Sequence, residues 1–276
     1  MKLLTLVASK RRKGNSAITA KLIEKFAPKY EITTSTEYLD DYEMLECDGC
    51  MSCVLKNKRC HLDDDFYSLI DKISSNDLFV IVAPTYVLSI PGALKTFLDR
   101  FLLFLPYYRT NYGKLGGSIG ISSLKDWQHF ELPFLNIMLL SLGFNVADSF
   151  MLYGAGPGEV LLNNKNEKRV EELLFNLLNK RNLNDSVISD KCPVCYSSVF
   201  EYSDGGVICP FCRIKAKRRN DGFLFELNEI RNHRFTKMKI EEHFTGWIMG
   251  TKDMFRKNLR EVLKKKKEIF EGCDGT

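Results

Sequence analysis

Eight of the nine cysteines fall into two groups whose spacing suits metal binding or redox chemistry. Cys192 and Cys195, in CPVC, and Cys209 and Cys212, in CPFC, form two C-x-x-C pairs separated by thirteen residues. Each pair offers two thiolates from one short knuckle, and four thiolates in tetrahedral array suit Zn²⁺ best. Rubredoxin-type iron ranks below zinc, because its knuckles lie farther apart. Between the pairs, Ser203–Gly206 reads as a hairpin turn joining apolar strands, as in a small zinc ribbon. The other group, Cys47, Cys50, Cys53 and Cys60, occupies CDGCMSCVLKNKRC with gaps of two, two and six residues. Three chemistries compete there. Disulfides are disfavoured in a reducing compartment and between cysteines so close together. Zinc favours well-separated knuckles. A compact C-x2-C-x2-C run closed by a fourth cysteine is a common wrapping for a [4Fe–4S] cluster, one thiolate per corner iron. Gly49 relieves the backbone of such a loop, and Lys56, Lys58 and Arg59 offset the cluster's charge. Cys273 belongs to neither group and reads as a free tail thiol. His61, His129, His233 and His243 show no metal spacing with one another.

The elements that must position these groups follow from hydrophobic patterning. The chain has 276 residues, 45% hydrophobic and 27% charged, which is long enough and apolar enough for a full core. A net charge of +5 is a mild excess and implies no nucleic acid by itself. The apolar stretch Leu3–Ala8 is too short for a signal-peptide core or a membrane span, so the chain reads as cytoplasmic, with no membrane segment. Strands are expected over Lys2–Ala8, Glu31–Leu39, Asp77–Ala83, Leu115–Ser122 and Phe144–Tyr153. Helices are expected over Ser16–Ala27, Asp64–Ser75, from Pro91, over Phe130–Leu142 and over Glu167–Asn182. Apolar strands alternating with helices define an α/β fold, a flavodoxin-like five-stranded parallel sheet with helices on both faces. A linker is expected over Asn179–Lys191. The implied domains are 1–182 with the cysteine loop 47–60, a zinc ribbon over 190–216, and a C-terminal extension over 217–276 ending in a basic helix. Ligands in such a fold sit beyond the carboxyl ends of the strands, which singles out loops 9–15, 40–62, 84–90 and 122–129.

The first of these loops, SKRRKGNS, opens the first helix. A phosphate there would meet backbone amides, a helix dipole, the hydroxyls of Ser9 and Ser16 and the fork of Arg11, with Gly14 for the turn and Asn15 to bridge loop and ligand. The plainer alternative is a solvated basic turn with Ser16 as the helix cap. The motif is neither a Walker loop nor a dinucleotide fingerprint.

S-x-R-x-x-G-N-S after the first strand resembles the flavin-phosphate loop of the NADPH-dependent FMN reductase family. PTYVLSIPGALKTFLDR, Pro84–Arg100, resembles that family's second flavin loop and the helix after it. The resemblance implies that Pro84, Thr85, Tyr86 and Val87 lie against the isoalloxazine ring. It implies a third flavin loop over Ile121–Asp126, with Ser122 and Ser123 as contacts. This chain carries Val87 and Leu88 where the family often has glycine. Within that resemblance, the C-x2-C-x2-C-x6-C loop after the second strand is similar to that of the iron–sulfur flavoproteins. They use FMN as hydride and electron carrier and the cluster as a one-electron relay, with the cluster of one subunit facing a neighbour's flavin. The resemblance therefore implies FMN and a [4Fe–4S] cluster beside the zinc, a ferredoxin or NAD(P)H electron donor, an unknown small-molecule acceptor, and a homodimer or homotetramer. No catalytic side chain is expected, since the flavin carries the chemistry. Two rivals stand beside this reading. One is an NAD(P)H:FMN or quinone reductase whose cysteine loop holds zinc. The other is a redox-sensing regulator using the ribbon and RIKAKRR (Arg213–Arg219) on nucleic acid, disfavoured because no aromatic platform accompanies the charges.

Overall fold

The structure is a computed structural model that describes residues 1–179 and 185–271. Cys273 and part of the expected linker lie outside the described residues. Five strands, β1 (Lys2–Val7), β2 (Thr33–Tyr38), β3 (Leu78–Pro84), β4 (Leu115–Ser122) and β5 (Asn145–Tyr153), form one sheet in the order β2-β1-β3-β4-β5. Every pairing is parallel. Alternate residues of the same strand serve opposite faces, as strand geometry requires. Leu4, Leu6, Phe79 and Ile81 join one core layer, and Leu3, Leu78, Val80 and Val82 the other.

Helices α1 (Asn15–Phe26), α2 (Ser52–Leu55), α3 (Phe66–Ser74), α4 (Gly92–Asp99), α5 (Leu105–Asn111), α6 (Glu131–Ser141) and α7 (Asn164–Leu178) connect and cover the strands. Ile23 and Phe26 of α1 pack with Val170, Leu173 and Leu174 of α7 on one face. Phe66, Ile70, Phe97, Leu135 and Leu139 from α3, α4 and α6 fill the other. This is the expected flavodoxin-like arrangement. Two boundaries differ for local reasons. Helix α1 starts at Asn15 with Gly14 in the capping position, so Ser16 lies inside the helix, buried, and is not its cap. Helix α7 starts three residues earlier than expected, because the Asn163 carboxamide accepts from the Lys165 amide at 3.1 Å and caps it.

A second sheet holds the other cysteine group. Strands β6 (Val187–Ser189), β7 (Glu201–Ser203), β8 (Gly206–Ile208), β9 (Lys215–Arg219) and β10 (Gly222–Phe225) run antiparallel in the order β6-β10-β9-β8-β7. The sheet thus reaches beyond 190–216 on both sides. It is anchored to the first unit by a buried polar network. Asn136 of α6 donates to the Cys195 carbonyl at 3.0 Å and to Ser149 Oγ at 2.9 Å, and accepts from Ser118 Oγ at 2.8 Å. Leu140 of α6 also joins the ribbon's core.

After α8 (Leu227–Arg231), a continuous helical rod comprises α9 (Lys237–Glu242), a π-helical stretch His243–Ile248 and α10 (Met249–Glu271). Ile240, Phe244 and Ile248 pack against Tyr108 and against Met51 and Val54 of the first cysteine loop. Beyond Thr251 almost every described residue of α10 is exposed. No helix among the described residues is long and apolar enough to cross a membrane.

Candidate active site and metal centres

The loops at the carboxyl ends of β1, β3, β4 and β5 enclose a groove of about 150 Å³. Of the residues expected to bind a flavin, it brings together Ser9, Arg11, Gly14, Asn15, Ser16, Pro84, Thr85, Tyr86 and Ser123. Gly14 is required by a close approach: a Cβ there would lie 2.9 Å from the Arg11 Cβ. The loop's cations divide their work. Lys10 pairs with Asp40 at 3.1 Å and Arg12 with Asp41, whereas Arg11 lines the groove with no acidic partner among the described residues. The first turn of α1 holds no acid, so its free amides and dipole meet the same space as Arg11. Thr85 contributes a buried Oγ1 that has no hydrogen-bond partner.

Two expected contacts are not brought to the groove walls. Val87 is 86% exposed at the tip of a tight turn, closed by reciprocal Tyr86–Ser89 backbone bonds of 2.8 and 3.2 Å. Ser122 is turned into its own loop, donating to the Leu124 carbonyl at 2.8 Å. Asn15 lines the groove, but its side chain is already engaged. It donates to the carbonyls of Gly154 and Gly156, both at 3.0 Å, and accepts from the Gly158 amide at 2.8 Å. It therefore fastens a fourth wall, Gly154–Pro157, that sequence reasoning passed over. The signal was GAGPG directly after the fifth strand. Also missed was Glu131, at the start of α6 beneath the third loop. It is fully buried, neither carboxylate oxygen has a hydrogen-bond partner among the described residues, and burial pushes its pKa up to about 9.

Cys47, Cys50, Cys53 and Cys60 all line one pocket. Its floor is Arg100, paired with Asp64 at 2.6 Å, the two side chains 1% and 0% exposed. The Arg100 Nε–H is buried without a hydrogen-bond partner, and the charge of Cys60 acts on the guanidinium. A buried positive charge that lines the pocket and interacts with Cys60 fits an anionic group held by four thiolates. The lysines expected to balance that charge, Lys56 and Lys58, are exposed. At the pocket's mouth, His61 lies 3.8 Å from Cys50 Sγ through Nδ1 and 3.2 Å from Asp48 through Nε2. Asp48, Cys50 and His61 come within 4.8 Å of one another, a grouping that histidine spacing alone did not reveal.

The ribbon thiols are arranged differently. Cys192, Cys195, Cys209 and Cys212 are all buried and lie within 4.8 Å of one another, with Cys195 and Cys209 at 3.6 Å. Four sulfurs about 2.3 Å from one central ion would stand about 3.8 Å apart. Burial pushes the Cys195 and Cys212 thiols well up, while hydrogen bonds from the neighbouring thiols hold Cys209 well down. Four buried sulfurs at this spacing can all be thiolates only with a cation between them.

A doubly wound sheet with a polar, cation-bearing groove at the switch between β1 and β3 defines a flavodoxin-like flavin-dependent oxidoreductase. Residues 1–149 match the family model described as NADPH-dependent FMN reductase, and the chain belongs to that family. An iron-sulfur flavoprotein of Archaeoglobus fulgidus is 28% identical over 164 residues, 58% of this chain and 72% of that one. An iron-sulfur flavoprotein of Methanosarcina thermophila is 24% identical over 143 residues, 48% of this chain and 74% of that one. Among solved structures, a flavone reductase superposes over 99% of this chain and 96% of its own with a TM-score of 0.69 at 16% identity. That likeness shows a fold shared along the whole chain, ribbon and C-terminal rod included.

Proposed function

We propose that this protein passes electrons between ferredoxin or NAD(P)H and a small-molecule acceptor through FMN in the groove and a [4Fe–4S] cluster in the first cysteine pocket, with zinc in the ribbon. The observation that carries the reading is that Cys47, Cys50, Cys53 and Cys60 line one pocket with a buried arginine whose Nε–H lacks a partner among the described residues. FMN would accept a hydride or electron pair and release electrons singly, and the cluster would relay one electron at a time.

The chain's own residues hold and shield these groups. Ser9, Ser16, Arg11 and the first-turn amides of α1 would receive the phosphate, as helix N-termini do. Pro84 and Tyr86 would wall the ring system, Thr85 Oγ1 would meet its polar edge, and Ser123 would close the third side. Asn15 keeps the Gly154–Pro157 loop over the groove without itself binding. Arg100 would donate to sulfur at the cluster while Asp64 fixes its orientation. No groove residue is placed as a general acid or base.

The division of the chain is part of the same proposal: a flavin unit to about residue 182, a ribbon widened to 187–225 by β6 and β10, and a C-terminal extension. So are a cytoplasmic location and a homodimeric or homotetrameric state. Nucleic-acid binding is disfavoured, because Lys217 is paired with Glu226 at 2.5 Å and Arg213 with Glu201 at 2.6 Å. A second reading has one observation in its favour. The approach of Asp48, Cys50 and His61 would suit a single ion in a reductase without a cluster. An FMN-dependent NADH:quinone oxidoreductase of Mycoplasmoides gallisepticum, 29% identical over 110 residues, 39% of this chain and 56% of that one, bears a name that fits it.

Purification without oxygen, followed by metal, sulfide and flavin analysis, separates the readings. The proposal requires about four irons and four sulfides with about one zinc and one FMN per chain. FMN with zinc and no iron or sulfide favours the second reading, and a chain that takes up no flavin overturns both. Substituting Cys195→Ser is expected to remove only the zinc and to open residues 187–225 to protease, leaving FMN and iron contents unchanged.

A further inference from the structure

A second cavity lies apart from the groove. A cleft of about 480 Å³ lies where three units meet, and it shares no residue with either the groove or the cysteine pocket. The first unit contributes Leu98, Phe101, Ile137 and Ser141, from α4, the turn after it, and α6. The ribbon contributes Pro210 and Phe211, between its last two cysteines, the turn before the C-terminal rod adds Phe235, and the rod adds Ile240. Clefts of this size, apolar and set between units, are the usual seats of small molecules.

The rings are held by their own neighbours. Phe211 meets Phe134 edge-on at 5.8 Å, and Phe101 lies 5.1 Å from Phe244 and 6.3 Å from the ring of His243. They therefore offer preset surfaces for a flat ligand.

The rim carries one sign of charge. Arg234, Lys239 and His243 line the cleft, and no acidic residue does. Lys239 donates to the Asn232 carbonyl, which leaves its charge uncompensated. The Arg234 side chain has no acidic partner among the described residues, while its backbone amide is tied to the Cys212 carbonyl at 2.9 Å. Of the two acids just before His243, Glu241 is engaged by Arg109 at 3.1 Å and Glu242 does not line the cleft. An apolar, ring-lined cleft with an unpaired guanidinium at its edge calls for a ligand that is flat and apolar at one end and anionic at the other.

We propose that this cleft is a binding site for an aromatic carboxylate, its rings seated against Phe101, Phe211 and Phe235 and its carboxylate on Arg234. The site stands whether or not the flavin and cluster assignments hold. It bears on them through one turn: Phe101 faces the cleft, while the next two residues, Leu102 and Leu103, line the cysteine pocket.

The test is calorimetric titration of the intact protein with 2-naphthoate and with 2-naphthamide, which has the same shape without the charge. Naphthoate is expected to bind once per chain in the submillimolar range, and the amide about tenfold more weakly. Arg234→Glu, an exposed substitution that leaves the core untouched, is expected to weaken naphthoate about tenfold or more without changing the melting temperature or the amide's affinity. Ile137→Trp, which fills the cleft, is expected to abolish both. Failure of naphthoate to bind, equal binding of acid and amide, or indifference to Arg234→Glu overturns the proposal.

Discussion

A carboxyl group that is sealed from water and given no donor keeps its proton, and Glu131 is in that position. Its pKa of about 9 in the native protein stands against an ordinary 4.5, so the folded chain holds a proton that the unfolded chain has released. Stability therefore falls as pH rises from about 4.5 to about 9, by at most about 1.4 kcal/mol per pH unit. Glu131→Gln keeps the shape without the titration. The expected outcome is a variant matching the parent near pH 4.5, more stable than it at pH 8, and with a flatter pH profile by denaturant melts. Neither this residue nor Arg100 was legible as a buried charge. Each sits at the end of a helix, where charges are usually wet. Asp64 opens the expected helix Asp64–Ser75, and its side chain does accept from the Phe66 amide at 3.3 Å, but its main partner is the distant Arg100. By contrast Ser9, Arg11 and Thr85 were legible, because groove residues lie at the ends of strands whose positions the apolar runs betray.

At the scale of elements, the turn after β3 stores strain. Val87 and Leu88 both adopt left-handed backbone conformations, at φ 46° and 69°. That is the geometry of a two-residue turn which glycine and asparagine take readily and a β-branched residue resists. A non-glycine residue held there costs about 1–2 kcal/mol. Val87→Gly is expected to raise stability, or at least leave it unchanged, in thermal melts, since the side chain is exposed and makes little packing. A clear loss of stability would mean that the turn is held by Val87 itself. The same scale shows which elements a sequence reveals. The five central strands and their long helices carry continuous or periodic apolar runs, and all fell within a few residues of expectation. The short ones did not show. Helix α5 hid in an apolar run broken by Pro106. Strand β9 hid in RIKAKRR, where only Ile214 and Ala216 turn inward and the charges mask a period of two. Helix α2 has four residues and no buried face, and its place is set by the C-terminal rod that packs on it.

For the molecule as a whole, that rod does two unequal jobs. Its first turns are part of the core, and its last four or five are not. Ending the chain at Asp253 is expected to shift the melting temperature by no more than a degree or two, whereas Phe244→Ala is expected to cost roughly 3–5 kcal/mol. A large destabilisation from the truncation would show that α10 has a partner surface the chain alone does not reveal. The rod's contact with Met51 and Val54 also sets an order of events during synthesis. Cys60 leaves the ribosome well before Ile248, and at ~5–20 residues per second the interval is roughly 10–40 s. Throughout that time the cysteine loop is made but its cover is not. Met51 and Val54 thus stay uncovered until Ile248 has been made, so any group that Cys47, Cys50, Cys53 and Cys60 hold can be loaded before that packing forms.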